Sequence, residues 1–117
     1  MPSTTYYYQI VATNASGTTT STTNSFTTTA QTPIISSASL TNTSANSSTI
    51  NYSLNANNLT TTSVINYGTS SSALTNQING GSASGSLDTA VSIVVSGLNT
   101  GTTYYYQIVA TNSAGST

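Results

Sequence analysis

Asp88 is the only side chain among 117 residues with a formal charge. It stands among eight tyrosines and a large excess of small polar groups, since Thr (26), Ser (22) and Asn (13) make up just over half of the chain. Lys, Arg, His, Glu, Cys and Trp are absent. A Ser or Thr nucleophile needs a base beside it, and neither His nor Lys is there to serve. General acid–base work draws on His, carboxylates, Lys, Tyr or Cys, of which one Asp and the phenols remain. The residue types therefore point away from an enzyme. Zinc asks for His, Cys or carboxylates and calcium for several carboxylates, so no metal or cofactor is expected. Phosphate binding and attraction to anionic membranes both rest on Lys and Arg, and the longest apolar runs, a few residues each, are far short of a membrane span, so neither nucleic acid nor membrane insertion is expected.

Two lesser chemistries stay open. Asp88-Thr89-Ala90 resembles the Asp-Ser/Thr-small O-glycosylation pattern of some bacteria, with Thr89 as acceptor. Tyr7 and Tyr105 are candidates to stack on sugars, which makes carbohydrate binding the alternative function. Both depend on where strands and turns place these side chains.

The apolar residues alternate. Ile50, Tyr52 and Leu54 share one face of a segment, as do Ile65 and Tyr67, then Val91, Ile93 and Val95, then Tyr104, Tyr106, Ile108 and Ala110. A period of two marks half-buried antiparallel strands. Turn signals separate the segments at Asn55–Asn58, Gly68–Ser70, Asn79–Gly81, Asn99–Gly101 and Asn112–Gly115. Nothing shows a sustained helical period. The expected class is all-β, a small antiparallel sandwich.

TTYYYQIVATN occurs twice, from Thr4 and again from Thr102, 98 residues apart. Gly17 aligns with Gly115, and Thr19 with Thr117. Such a period is too long for a solenoid coil and fits one sandwich domain. The chain reads as a window on a tandem array, opening inside one domain and closing inside the next.

The stretch GLNTGTTYYYQIVATN, Gly97 to Asn112, resembles the fibronectin type III signature, in which Gly-Leu and a Gly-Thr turn lead to Tyr and strand F. VINYGTS at Val64–Ser70 is similar to strand C of bacterial members, and NSFTTTAQTP at Asn24–Pro33 to the end of strand G and a linker. The resemblance implies a seven-stranded sandwich. It implies Tyr104 as the tyrosine-corner residue, its hydroxyl bonded to nearby backbone, with Leu98, Tyr106 and Ile108 in the core. Departures are Thr100 in place of the usual turn Pro, no strand B Trp (Tyr52 stands near its place), and no Arg-Gly-Asp.

On this pattern strand A is Pro33 to about Leu40, B is Ser48–Asn55, C is Thr62–Gly68, C′ is Ser72–Ile78, E is Leu87–Val95 and F is Thr102–Thr111. No strand G follows. Residues 1–30 read instead as the F–G hairpin of a preceding repeat, 31–33 as linker, and 33–117 as the domain. The G-like strand, Thr18 to Thr28, presents Thr18, Thr20, Thr22, Asn24, Phe26 and Thr28 at alternate positions, with Phe26 as anchor. Four residues separate Thr28 from Pro33, and their five virtual bonds span about 18 Å at roughly 3.6 Å each. The poles of a sandwich lie about 30 Å apart for nine-residue strands, so this strand cannot close its own domain. It is expected to complete a neighbouring copy, because an unpaired edge accepts an added strand. The sequence thus suggests a structural repeat of an extracellular or cell-surface fibre, filament or adhesin stalk, with itself as partner and glycans as a further candidate.

Overall fold

The computed structural model describes residues 1–117 as eleven strands without a helix. Four short strands come first: β1 (Thr5–Tyr8), β2 (Val11–Asn14), β3 (Gly17–Thr20) and β4 (Asn24–Thr27). The remaining seven are β5 (Ile34–Thr41), β6 (Ser47–Asn55), β7 (Thr61–Gly68), β8 (Asn76–Ala83), β9 (Asp88–Ser96), β10 (Tyr105–Asn112) and β11 (Gly115–Ser116).

β5 to β11 form a sandwich. One sheet has the order β5-β6-β9 and the other β11-β10-β7-β8, with every pair antiparallel. This is the arrangement of immunoglobulin-like domains. Alternate residues of both sheets meet between them. Leu54, Ile65 and Ala110 are fully buried, and Ile50, Tyr52, Val91 and Val95 nearly so. The core is thin and lacks any large apolar cluster outside this layer.

A polar cluster is built into that core. The Tyr52 hydroxyl lies 2.7 Å from Ser63 Oγ and accepts from the Gly81 N–H at 3.1 Å, while Ser63 Oγ donates to the Gly81 carbonyl at 2.7 Å. The three bonds close a ring, so the phenol and the hydroxyl are buried without an orphan atom. The ring explains a difference from the sequence expectation. Asn79-Gly80-Gly81 is not a turn but the middle of β8, and strand C′ runs Asn76–Ala83 rather than Ser72–Ile78. A Cβ on Gly80 would stand 2.5 Å from the Tyr52 hydroxyl, and one on Gly81 2.6 Å from Val91. These glycines mark close approach of backbone to core. Residues 70–73 form the turn instead, closed by a Ser70–Ala73 bridge.

β1 to β4 make one long hairpin outside the sandwich. β2 pairs with β3 (Ala12 opposite Thr19), and β1 with β4 (Tyr6 opposite Phe26). The register steps by one residue between Val11–Thr20 and Tyr8–Asn24, so the second strand carries an extra residue, a β-bulge. Ser21 bridges the step, its N–H and Oγ both bonded to Ile10 backbone. The hairpin gives the molecule its length of 83 Å against widths of 24 and 16 Å.

Candidate assembly interface

The two copies of TTYYYQIVATN can be compared atom by atom. Asn14 Oδ1 accepts from the Ser16 N–H at 2.8 Å, and Asn112 Oδ1 from the Ala114 N–H at 2.8 Å. The Thr13 and Thr18 hydroxyls meet at 3.0 Å, and those of Thr111 and Ser116 at 2.8 Å. β2–β3 and β10–β11 are therefore one hairpin in two places. β11 is a seventh strand of two residues, so the domain does hold a short G strand of its own.

The likeness reaches beyond the repeated letters. The Tyr104 hydroxyl accepts from the Asn99 N–H at 3.1 Å, the geometry of a tyrosine corner. Tyr6, its counterpart, accepts from the Met1 ammonium at 2.8 Å, and Met1 stands 98 positions before Asn99. Between them Ser3 takes a positive φ of 48°, where Gly101 has 67°. Pro2 occupies the position of Thr100.

What differs is the covering. Ala110 is fully buried, and Tyr104, Tyr106 and Ile108 are half-buried against the opposite sheet. Their counterparts Ala12, Tyr6, Tyr8 and Ile10 lie on a bare face, the last three 40%, 47% and 63% exposed. Phe26 shares that face, stacked on Tyr6 at 5.5 Å and tilted against Tyr8 at 6.4 Å, yet is 55% exposed.

The sandwich has a matching gap. β10 pairs with β7 along one edge, but on the other only Thr111 and Asn112 meet β11, and Ala110 exchanges backbone bonds with Thr117. Strand parity then turns the N–H and C=O of Ile108 and Tyr106 towards the open edge. Beside that edge lies an apolar cleft of about 60 Å³. Leu40, Ile50 and Leu98 line it from one side, and Tyr67, Tyr104 and Tyr106 from the other.

The bulge divides the donor positions read from the sequence. Thr18 and Thr20 oppose Thr13 and Val11 on the outward face, whereas Asn24 and Phe26 oppose Tyr8 and Tyr6 on the inward one. Thr22 falls in the bulge. Thr28 opposes Thr4, its Oγ accepting from the Thr4 N–H at 3.0 Å. An extra residue in a strand leaves no mark when every neighbour is Thr or Ser.

The other candidates lie apart from this edge. Asp88 opens β9, its Oδ1 accepting from Asn55 Nδ2 at 2.8 Å. Thr89 is half-buried on the β9 face that carries Val91 and Val95. Tyr7 and Tyr105 point outward, 74% and 46% exposed, on separate sheets.

Two antiparallel sheets, a corner tyrosine and a thin alternating core define an immunoglobulin-like sandwich module. Residues 35–117 match the purple acid phosphatase N-terminal domain, and the chain belongs to that family. The matched span holds the sandwich and leaves the hairpin outside it. Neither the curated proteins nor the solved structures provide a match.

Proposed function

We propose that this chain is a non-enzymatic structural repeat of an extracellular fibre, filament or adhesin stalk. The hairpin of one copy completes the sandwich of the next, by strand donation or within a tandem array. One observation carries the reading: the same eleven residues occur once covered by a sandwich and once bare. What covers β10 is what the bare copy lacks. A two-stranded hairpin is marginal by itself in water, so its apolar face is matched to such a cover.

The register of the hairpin extends to the donated strand. Thr19 opposite Ala12 corresponds to Thr117 opposite Ala110. Carried on past the bulge, the same pairing sets Phe26 of a neighbour, exchanged from Tyr6 of its own hairpin, against Tyr104, at the cleft between Tyr104, Tyr106 and Leu40. The family is named for the N-terminal domain of a phosphatase. With one carboxylate and no His, Cys or Lys, this module serves as scaffold rather than catalyst.

Light scattering and negative-stain microscopy of the native chain beside Phe26→Ala test the proposal. Linear assemblies are expected, weakened about tenfold or more by loss of a buried aromatic anchor. A native chain that stays monomeric at high concentration would sink it.

A further inference from the structure

The junction between hairpin and sandwich is held by amides. Residues Ala56–Leu59 form a turn closed by Leu59 N–H to Ala56 C=O at 3.1 Å, with Asn57 and Asn58 both at positive φ, 51° and 65°. That is the type I′ pattern, in which Asn is favoured. The turn aims both side chains at the preceding segment. Asn57 Nδ2 donates to the Thr32 carbonyl at 2.7 Å, and Asn112 Nδ2 to the Gln31 carbonyl at 2.9 Å. Asn58 Nδ2 reaches further, to the Pro2 carbonyl at 2.9 Å and Thr4 Oγ1 at 3.1 Å. Thr4 Oγ1 itself donates to the Pro2 carbonyl at 2.9 Å, so the two acceptors form one preset pair.

That pair exists a second time. At the far pole of the sandwich Thr102 Oγ1 donates to the Thr100 carbonyl at 3.4 Å, on a turn with the same positive φ at its third position. Thr100 and Thr102 are exposed, and no side-chain amide reaches them. The two poles of one molecule are thus a donor turn and a copy of the acceptor turn that it already grips.

We propose that the Asn99–Thr102 turn is the docking site for the Asn57–Asn58 turn of a second copy. The proposal rests on the head-to-tail reading above and names its contact. Asn58 of the incoming copy exchanges Pro2 and Thr4 of its own hairpin for Thr100 and Thr102 of its neighbour. The exchange swaps like for like, as in domain swapping, and the contact is heterologous, so it propagates without closing. It also explains how a nearly uncharged chain sets direction: the poles differ in donors and acceptors rather than in sign of charge.

The test uses the full chain. Thr102→Val keeps the β-branched shape and removes the hydroxyl. Asn58→Gly removes the amide yet keeps a residue suited to positive φ. Sedimentation equilibrium is expected to show association weakened roughly fivefold to tenfold by either variant, the size of one neutral hydrogen bond, with Thr102→Ser behaving as native. The double variant is expected to be little worse than either single one, since both remove one contact. Association indifferent to Thr102→Val would overturn this docking site and leave the fibre reading standing. Amide exchange at Tyr106 and Ile108 separates the other case. Thr102-dependent association with those amides still unprotected would support the docking site and refute strand donation. Absence of any association would overturn both.

Discussion

Thr4–Asn14 and Thr102–Asn112 are the same peptide in two environments. In the sandwich it forms the unbroken strand β10, paired with β7 at seven successive positions. In the hairpin it divides into β1 and β2, separated at Gln9 and Ile10 opposite the bulge. Both copies are extended, because Thr, Tyr, Ile and Val suit a pleated chain wherever it lies. Both keep the Asn turn and the tyrosine hydroxyl bond, which are local. Burial and the break at Gln9 and Ile10 separate them, and burial is set by what packs across the apolar face.

This comparison can be broken most sharply at its alanines. Ala110→Asp puts a carboxylate into a fully buried position with no cationic side chain in the chain to pair it. The sandwich is expected to lose at least about 3 kcal/mol, read by urea unfolding. Ala12→Asp, on the exposed copy, is expected to change sandwich stability by no more than about 0.5 kcal/mol. Equal losses would show that the hairpin packs in the monomer.

A smaller effect sharpens the local part. Tyr104→Phe removes the acceptor of the Asn99 N–H and is expected to cost about 1 kcal/mol. Tyr6→Phe removes only a bond to an exposed ammonium and is expected to leave the unfolding midpoint unmoved. Smallest of all is salt. With one side-chain charge, association at neutral pH should vary less than about twofold between roughly 0.1 M and 1 M salt, although the Debye length falls from about 10 to about 3 Å. A steep salt dependence would point to a contact other than these uncharged ones.

Much of the fold was legible because its cause is short in range. The alternation Ile50-Tyr52-Leu54 and Val91-Ile93-Val95 named the inward faces of β6 and β9, and both sets lie in the core or against it. The limits of β6, β7 and β9 fall within one residue of those read from the sequence. The misplaced element is β8. Its glycines look like a turn by composition, and only the Tyr52 phenol and Val91, distant in sequence, show why they sit in a strand. The asparagines of the junction were read as turn residues, which they are. Their second role, as amides gripping Pro2, Thr4, Gln31 and Thr32, had no sequence signal, because the partners lie 25 to 81 residues away.

The sequence by itself determined a nearly uncharged all-β chain, the faces of its main strands, and the presence of one hairpin twice. Those follow from side-chain shape and from turn chemistry acting over a few residues. Only the tertiary structure decided that one hairpin is covered and the other bare, that a bulge turns Phe26 to the same face as Tyr6 and Tyr8, and that asparagine amides bind the two parts. Such outcomes depend on which atoms meet across long stretches of chain, where a row of Thr, Ser and Asn looks the same whatever it touches.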